Sequence, residues 1–123
     1  MTTQRIGEAK VALKVFFCAV DEWCLTEREA QLLLNNNSQS DYDDYKQCVV
    51  GAVSDDLLHR LAHITKIYEN LRLLYSDENI ILWLKNSSEK KSKWQGNSPL
   101  ERMTESINGI IYVFDYLNGL SGR

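Results

Sequence analysis

Leu57, Leu61, Ile64, Tyr68 and Leu71 follow one another at steps of four, three, four and three. Only an α-helix brings that spacing onto one side. The stretch therefore predicts a helix over about residues 55–75, with a stripe that faces a core or pairs with another helix. Ser54 stands where a cap is needed, and Asp55 and Asp56 suit the positive end of the helix dipole. A chain organised around such an element has to supply other helices to cover it.

The rest of the sequence supplies them. There is a single proline, Pro99, and no segment alternates apolar and polar residues long enough for a strand. The first helix is expected over about residues 6–22, with Val11, Val15 and Cys18 on one stripe and Phe16, Ala19 and Trp23 on another. Thr26-Glu27-Arg28-Glu29 has the form of a capping box and opens a second helix, which closes at Asn35-Asn36-Asn37. A third helix covers about residues 39–49, and a fifth begins near Ser76 with Ile80, Ile81, Trp83 and Leu84. Residues 86–97 are polar and, with Lys85, carry four lysines, so they read as an exposed loop. Ser98-Pro99-Leu100-Glu101 opens the last helix: serine caps, proline takes the first turn and glutamate closes the box. Its apolar side runs from Leu100 through Met103, Ile107, Ile110, Ile111 and Phe114 to Leu117, and Asn118-Gly119 ends it.

These readings add up to an all-α, six-helix single domain. Its front half, residues 1–50, is a degenerate helix-turn-helix packed on a helical back half, residues 51–123. At 123 residues with 44% hydrophobic residues, the chain can bury a core of ordinary size.

Charge narrows the function. The net charge is −3, all of it in the front half, where five basic groups face eight acidic ones. The back half carries nine of each. General affinity for nucleic acid needs basic surface. The helix that would enter a DNA groove offers Gln39 and Lys46, but beside them stand Asp41, Asp43 and Asp44, and carboxylates meeting phosphates cost free energy. DNA binding through Gln39 and Lys46 is therefore a weak expectation. No apolar run approaches the ~20 residues of a membrane span, and the first residues lack the layout of a secretory signal. Cys18, Cys24 and Cys48 form no close pair, which predicts reduced thiols packed as small hydrophobes in a cytoplasmic protein.

Constellations that would carry chemistry are missing. His59 and His63 share a helical face, but the position after His59 is Arg60, where a metalloprotease motif has glutamate, and a cation there repels a metal ion. The acid pairs Asp55/Asp56 and Glu101/Glu105 are explained by helix starts. No nucleophile motif and no glycine-rich phosphate loop occurs. The expectation is a protein that is not an enzyme and holds no cofactor or metal. Trp23 and Trp83 lie on apolar faces and are expected in the core. Trp94, in the lysine-rich loop, is either folded back on its own domain or an anchor for a partner.

The order of motifs resembles a family. Trp23-x-Leu25-Thr26-x-x-Glu29 leads to Leu33-Leu34 and Ser38-x-x-Asp41-Tyr42. Arg60-Leu61-x-x-Ile64, Ile67-Tyr68-x-x-Leu71-Arg72, Trp83-Leu84, Gly96-x-Ser98-Pro99-Leu100 and Gly109-Ile110-x-x-Val113 follow. Together they look like the Xre/MbcA/ParS group of bacterial type II antitoxins, most closely over residues 54–118. The resemblance implies an antitoxin that binds and sterically blocks an NAD-degrading RES-domain toxin, and that forms homo-oligomers. It implies toxin contacts at Tyr116, Asn118, Gly119, Leu120, Ser121 and Arg123, with Gly96, Asn97 and Pro99 shaping the turn before them; Trp94 joins these as the candidate anchor. The alternatives are a helix-turn-helix regulator of its own operator and a helical protein-interaction adaptor.

Overall fold

The computed structural model describes residues 3–35, 38–51, 53–85 and 98–120. Every regular element among them is an α-helix: α1 (Thr3–Glu22), α2 (Glu27–Leu33), α3 (Gln39–Lys46), α4 (Asp55–Leu74), α5 (Asp77–Lys85), α6 (Pro99–Glu105) and α7 (Ile107–Leu120).

The helix starts form as their sequences require. Thr26 Oγ1 accepts from the Glu29 amide at 3.1 Å, and Glu29 Oε1 accepts from the Thr26 amide at 2.8 Å. Ser98 and Glu101 repeat the exchange at 3.0 and 2.7 Å. Ser38 and Ser54 cap α3 and α4 through single bonds to the amides of Asp41 and Leu57. Each satisfies donors that the helix itself leaves open. After α2, Asn35 adopts φ 74°, the left-handed conformation that asparagine tolerates.

α4 is the central element. Leu57, Leu61, Ile64 and Leu71 of its stripe are buried, joined by Ile67. α1 and α7 pack on it, α6 packs on α7, and α2 and α5 pack on α6. One buried cluster draws on Phe16 and Trp23 of α1, Leu33 of α2, Tyr42 of α3, Leu84 of α5, Met103 of α6 and Ile110 of α7. The α4 stripe is thus an intramolecular seam. Tyr68, the one member with a polar tip, is half-buried and donates its hydroxyl to Glu22 Oε2 at 2.8 Å, while Arg72 holds the other oxygen of that carboxylate at 3.3 Å.

Three expectations need correction. The last helix is two helices, not one. Ser106 is extended (φ −170°, ψ 168°) and its Oγ accepts from the Gly109 amide at 3.2 Å, so it ends α6 and caps α7. The turn at Ser106 folds α7 back against α6 so closely that a Cβ on Gly109 would overlap the Arg102 carbonyl, which is why glycine stands there. Secondly, Cys18 and Cys24 are exposed rather than packed in the core, and Cys48 is half-buried. On α1 the burial goes to the Phe16/Ala19/Trp23 stripe, which leaves Val11 and Cys18 outside; Cys24 and Cys48 sit at left-handed positions (φ 56° and 60°) in the turns after α1 and α3. Thirdly, Trp83 is half-buried and stacked between tyrosines, whereas Trp23 is in the core.

Candidate functional site

The last two turns of α7 carry Tyr116, Asn118, Gly119 and Leu120, and two different interactions fix them to the body. The Tyr116 ring lies nearly parallel to Trp83 of α5, with centroids 6.3 Å apart and 11° between planes. Trp83 in turn stacks on Tyr75, at 6.1 Å and 26°. Offset stacks of this kind add ~0.5–1.5 kcal/mol each beyond the area they bury. Two residues further along α7, Asn118 Oδ1 accepts from Asn70 Nδ2 at 2.9 Å. Asn70 is only 3% exposed, so its amide needs that partner. Leu117 between them is buried in the core.

Beyond these anchors the helix end is open. Gly119 has no neighbour within 4 Å of where a Cβ would stand, and Leu120 is 46% exposed. Leu82 of α5 is exposed by 66%. The arrangement is a rigid helix end with aromatic backing and apolar groups turned to solvent, which suits insertion into or against another protein. Burial pushes the Tyr75 hydroxyl above its usual range, and the Tyr116 phenol adds to the effect.

Pro99 is buried at the first turn of α6 rather than exposed at a contact surface. It and the buried Ser98 fix where α6 starts. Trp94, Gly96, Asn97, Ser121 and Arg123 lie outside the described residues. The structure therefore brings Tyr116, Asn118, Gly119 and Leu120 together and places Pro99 one helix away.

The DNA candidates stand elsewhere. Gln39, at the start of α3, accepts from Gln31 Nε2 and donates to Asp43 Oδ1, both at 3.0 Å. Its amide is thus engaged within the α2–α3 pair. Lys46 lies on the rim of a groove with Lys14, Cys18 and Cys48. The histidine pair is occupied too: the His63 ring meets Phe114 edge-on at 5.0 Å, and its Nδ1 is 2.8 Å from the His59 carbonyl. No group of three or more His, Cys, Asp or Glu that could hold a metal occurs among the described residues.

Two anchoring residues escaped sequence reasoning. Asn70, three residues after Ile67 and one before Leu71, is polar yet buried. Arg60 reads as a surface charge but is 6% exposed; it pairs with Asp56 at 2.9 Å and donates to the Leu33 carbonyl at 3.3 Å, near the C-terminal end of α2. The signal for Arg60 was its place in the apolar stripe, one residue before Leu61 and three after Leu57.

Among known proteins the chain is similar to an uncharacterized protein, y4oB, from Sinorhizobium fredii, with 28% identity over 112 residues, covering 89% of this chain and 84% of that protein. No protein-family model and no solved structure matches the chain.

Proposed function

We propose that this protein is the antitoxin of a bacterial type II toxin–antitoxin system of the Xre/MbcA/ParS kind. It binds an NAD-degrading RES-domain toxin and blocks it sterically with the C-terminal helix and the tail that follows. The observation that carries this reading is the end of α7, held by the Trp83–Tyr116 stack and the Asn70–Asn118 bond while Gly119 and Leu120 stand free. Inhibition by plugging needs no catalytic group. It needs a preformed end, because a helix already ordered loses little entropy on binding. The short tail Ser121-Gly122-Arg123, with two small residues and a cation, suits a pocket shaped for a nucleotide. In this reading the protein works in the cytoplasm, is not an enzyme and forms homo-oligomers; the engaged Gln39 amide and the aspartates of α3 weigh against operator binding.

The test is co-expression with the product of the neighbouring gene, followed by an NAD-consumption assay with and without this protein. Suppression of NAD loss through a stable complex supports the reading. Deletion of Gly119–Arg123 is then expected to leave the thermal transition in place and abolish protection. A truncated protein that still protects sinks the plugging mechanism. Tight, sequence-specific gel shifts that vanish on changing Gln39 or Lys46 would favour the regulator instead.

A further inference from the structure

α3 runs back along α1. The Phe17 ring of α1 meets Tyr42 of α3 at 5.7 Å, while Cys48, just after α3, sets its Sγ 4.0 Å from the Lys10 carbonyl. A step forward along α3 is thus a step back along α1. Lys46, one turn beyond Tyr42, therefore comes to the Lys14 end of the groove of about 390 Å³ that these helices form.

The groove is apolar along its length and charged at its ends. Leu13 is buried in its floor, Phe17 is half-buried beside it, and the thiols of Cys18 and Cys48 add a polarisable lining. Lys14 and Lys46 stand at one end. Asp21 lines the other, seven residues from Lys14 and so about 10 Å along α1.

The two lysines point to an anion. Both are exposed, and among the described residues neither has an ion pair. They stay unpaired in the half of the chain where eight acidic groups outnumber five basic ones. Two ammonium groups brought to one end of a recess repel each other, and an anion held between them removes that repulsion. An apolar body attached to the anion would leave water for Leu13 and Phe17. Asp21 disfavours a second negative group at the far end, so the ligand carries a single anionic head. The volume falls in the range of small-molecule sites, about 300–1,000 Å³.

We propose that the α1–α3 groove binds a small amphipathic monoanion of the medium-chain carboxylate class. The carboxylate sits between Lys14 and Lys46, and the alkyl body lies along Leu13, Phe17 and the two thiols toward Asp21. The site goes beyond the proposed function and is independent of it, since neither helix carries the α7 end.

The cysteines supply the test. Cys18 and Cys48 line the groove, whereas Cys24, exposed like Cys18, does not. Alkylation of the full chain by iodoacetamide is followed at each cysteine by peptide mass spectrometry. Octanoate at about four times its Kd is expected to slow the reaction at Cys18 and Cys48 about fivefold and to leave Cys24 unchanged. Octylammonium, with the same chain and the opposite charge, should protect neither. The double variant Lys14→Glu/Lys46→Glu, changed only at exposed side chains, should keep a cooperative circular dichroism melt and lose the protection. No protection of Cys18 and Cys48 by octanoate at about 10 mM, beyond the millimolar range of weak binding, overturns the proposal. So does equal protection of Cys24, equal protection by octylammonium, or protection that survives in the double variant.

Discussion

Thr26–Glu29 and Ser98–Glu101 are the same device in two settings. Their hydrogen bonds match within a tenth of an ångström, 3.1 and 2.8 Å against 3.0 and 2.7 Å. The first stands in solvent at the start of α2. In the second, Ser98 is buried together with Pro99 and Leu100. Water can replace the threonine hydroxyl at the front turn, whereas nothing can replace the serine at the back turn without opening the core. The same four-residue motif thus marks a helix start in the front half and fixes the position of two helices in the back half. The back turn is also the one that leads into α7.

Breaking the back turn at its tightest point should have the largest effect. Gly109→Ala drives a methyl group into the Arg102 carbonyl, which belongs to backbone and cannot rotate away. The expected loss is about 3 kcal/mol, the upper end of the overpacking range. Urea unfolding measures it. An unchanged midpoint would mean that α6 and α7 do not cross as closely as described.

The comparison itself is sharpened by a matched pair. Ser98→Ala should cost about 2 kcal/mol and Thr26→Ala about 0.5–1 kcal/mol, by the same urea titration. Equal losses would show that burial adds nothing to the cap at the back turn.

The smallest effect near neutral pH separates the halves by titration. Tyr42 and Tyr45 are raised by burial first and then by carboxylates, Glu27 and Asp43 for one and Asp41 and Asp44 for the other. Tyr75 is raised by burial and by Tyr116. A phenol with a folded pKa above its unfolded value keeps its proton longer in the folded protein. Stability is therefore fully present below about pH 10 and falls as pH rises through the raised values. Melting temperatures from pH 8 upward should stay flat and then drop. Added salt should ease the part due to carboxylates in the front half and leave the burial part of Tyr75 unchanged.

Helix starts were the most legible part of the fold, because a cap is written in three or four adjacent residues. Ser54, Thr26 and Ser98 all accept the bonds their positions call for. The break at Ser106 was not legible. It shows in the contact of α7 with the Arg102 carbonyl, made between helices, while the apolar stripe of the sequence runs through Ser106 without interruption. The cysteines failed for a related reason. On α1 two apolar stripes compete, and the sequence does not say that the one with Phe16 and Trp23 faces α4 while Val11 and Cys18 stay outside. At the candidate site, the positions at the end of α7 came from resemblance. What secures them, Asn70 and the stack on Trp83, became visible only when α4 and α5 were set beside α7.

Arg60 carries one more consequence. Its guanidinium belongs to α4, yet it bonds the Leu33 carbonyl near the end of α2 and is almost fully enclosed. If the front half came away by itself, Trp23 and Leu33 would leave the core they share with α4 and α6, and Arg60 would give up its bond to the Leu33 carbonyl. The two halves are thus tied into one cooperative unit, and slow amide protons in α2 and α4 are expected to exchange with the same opening free energy, that of global unfolding.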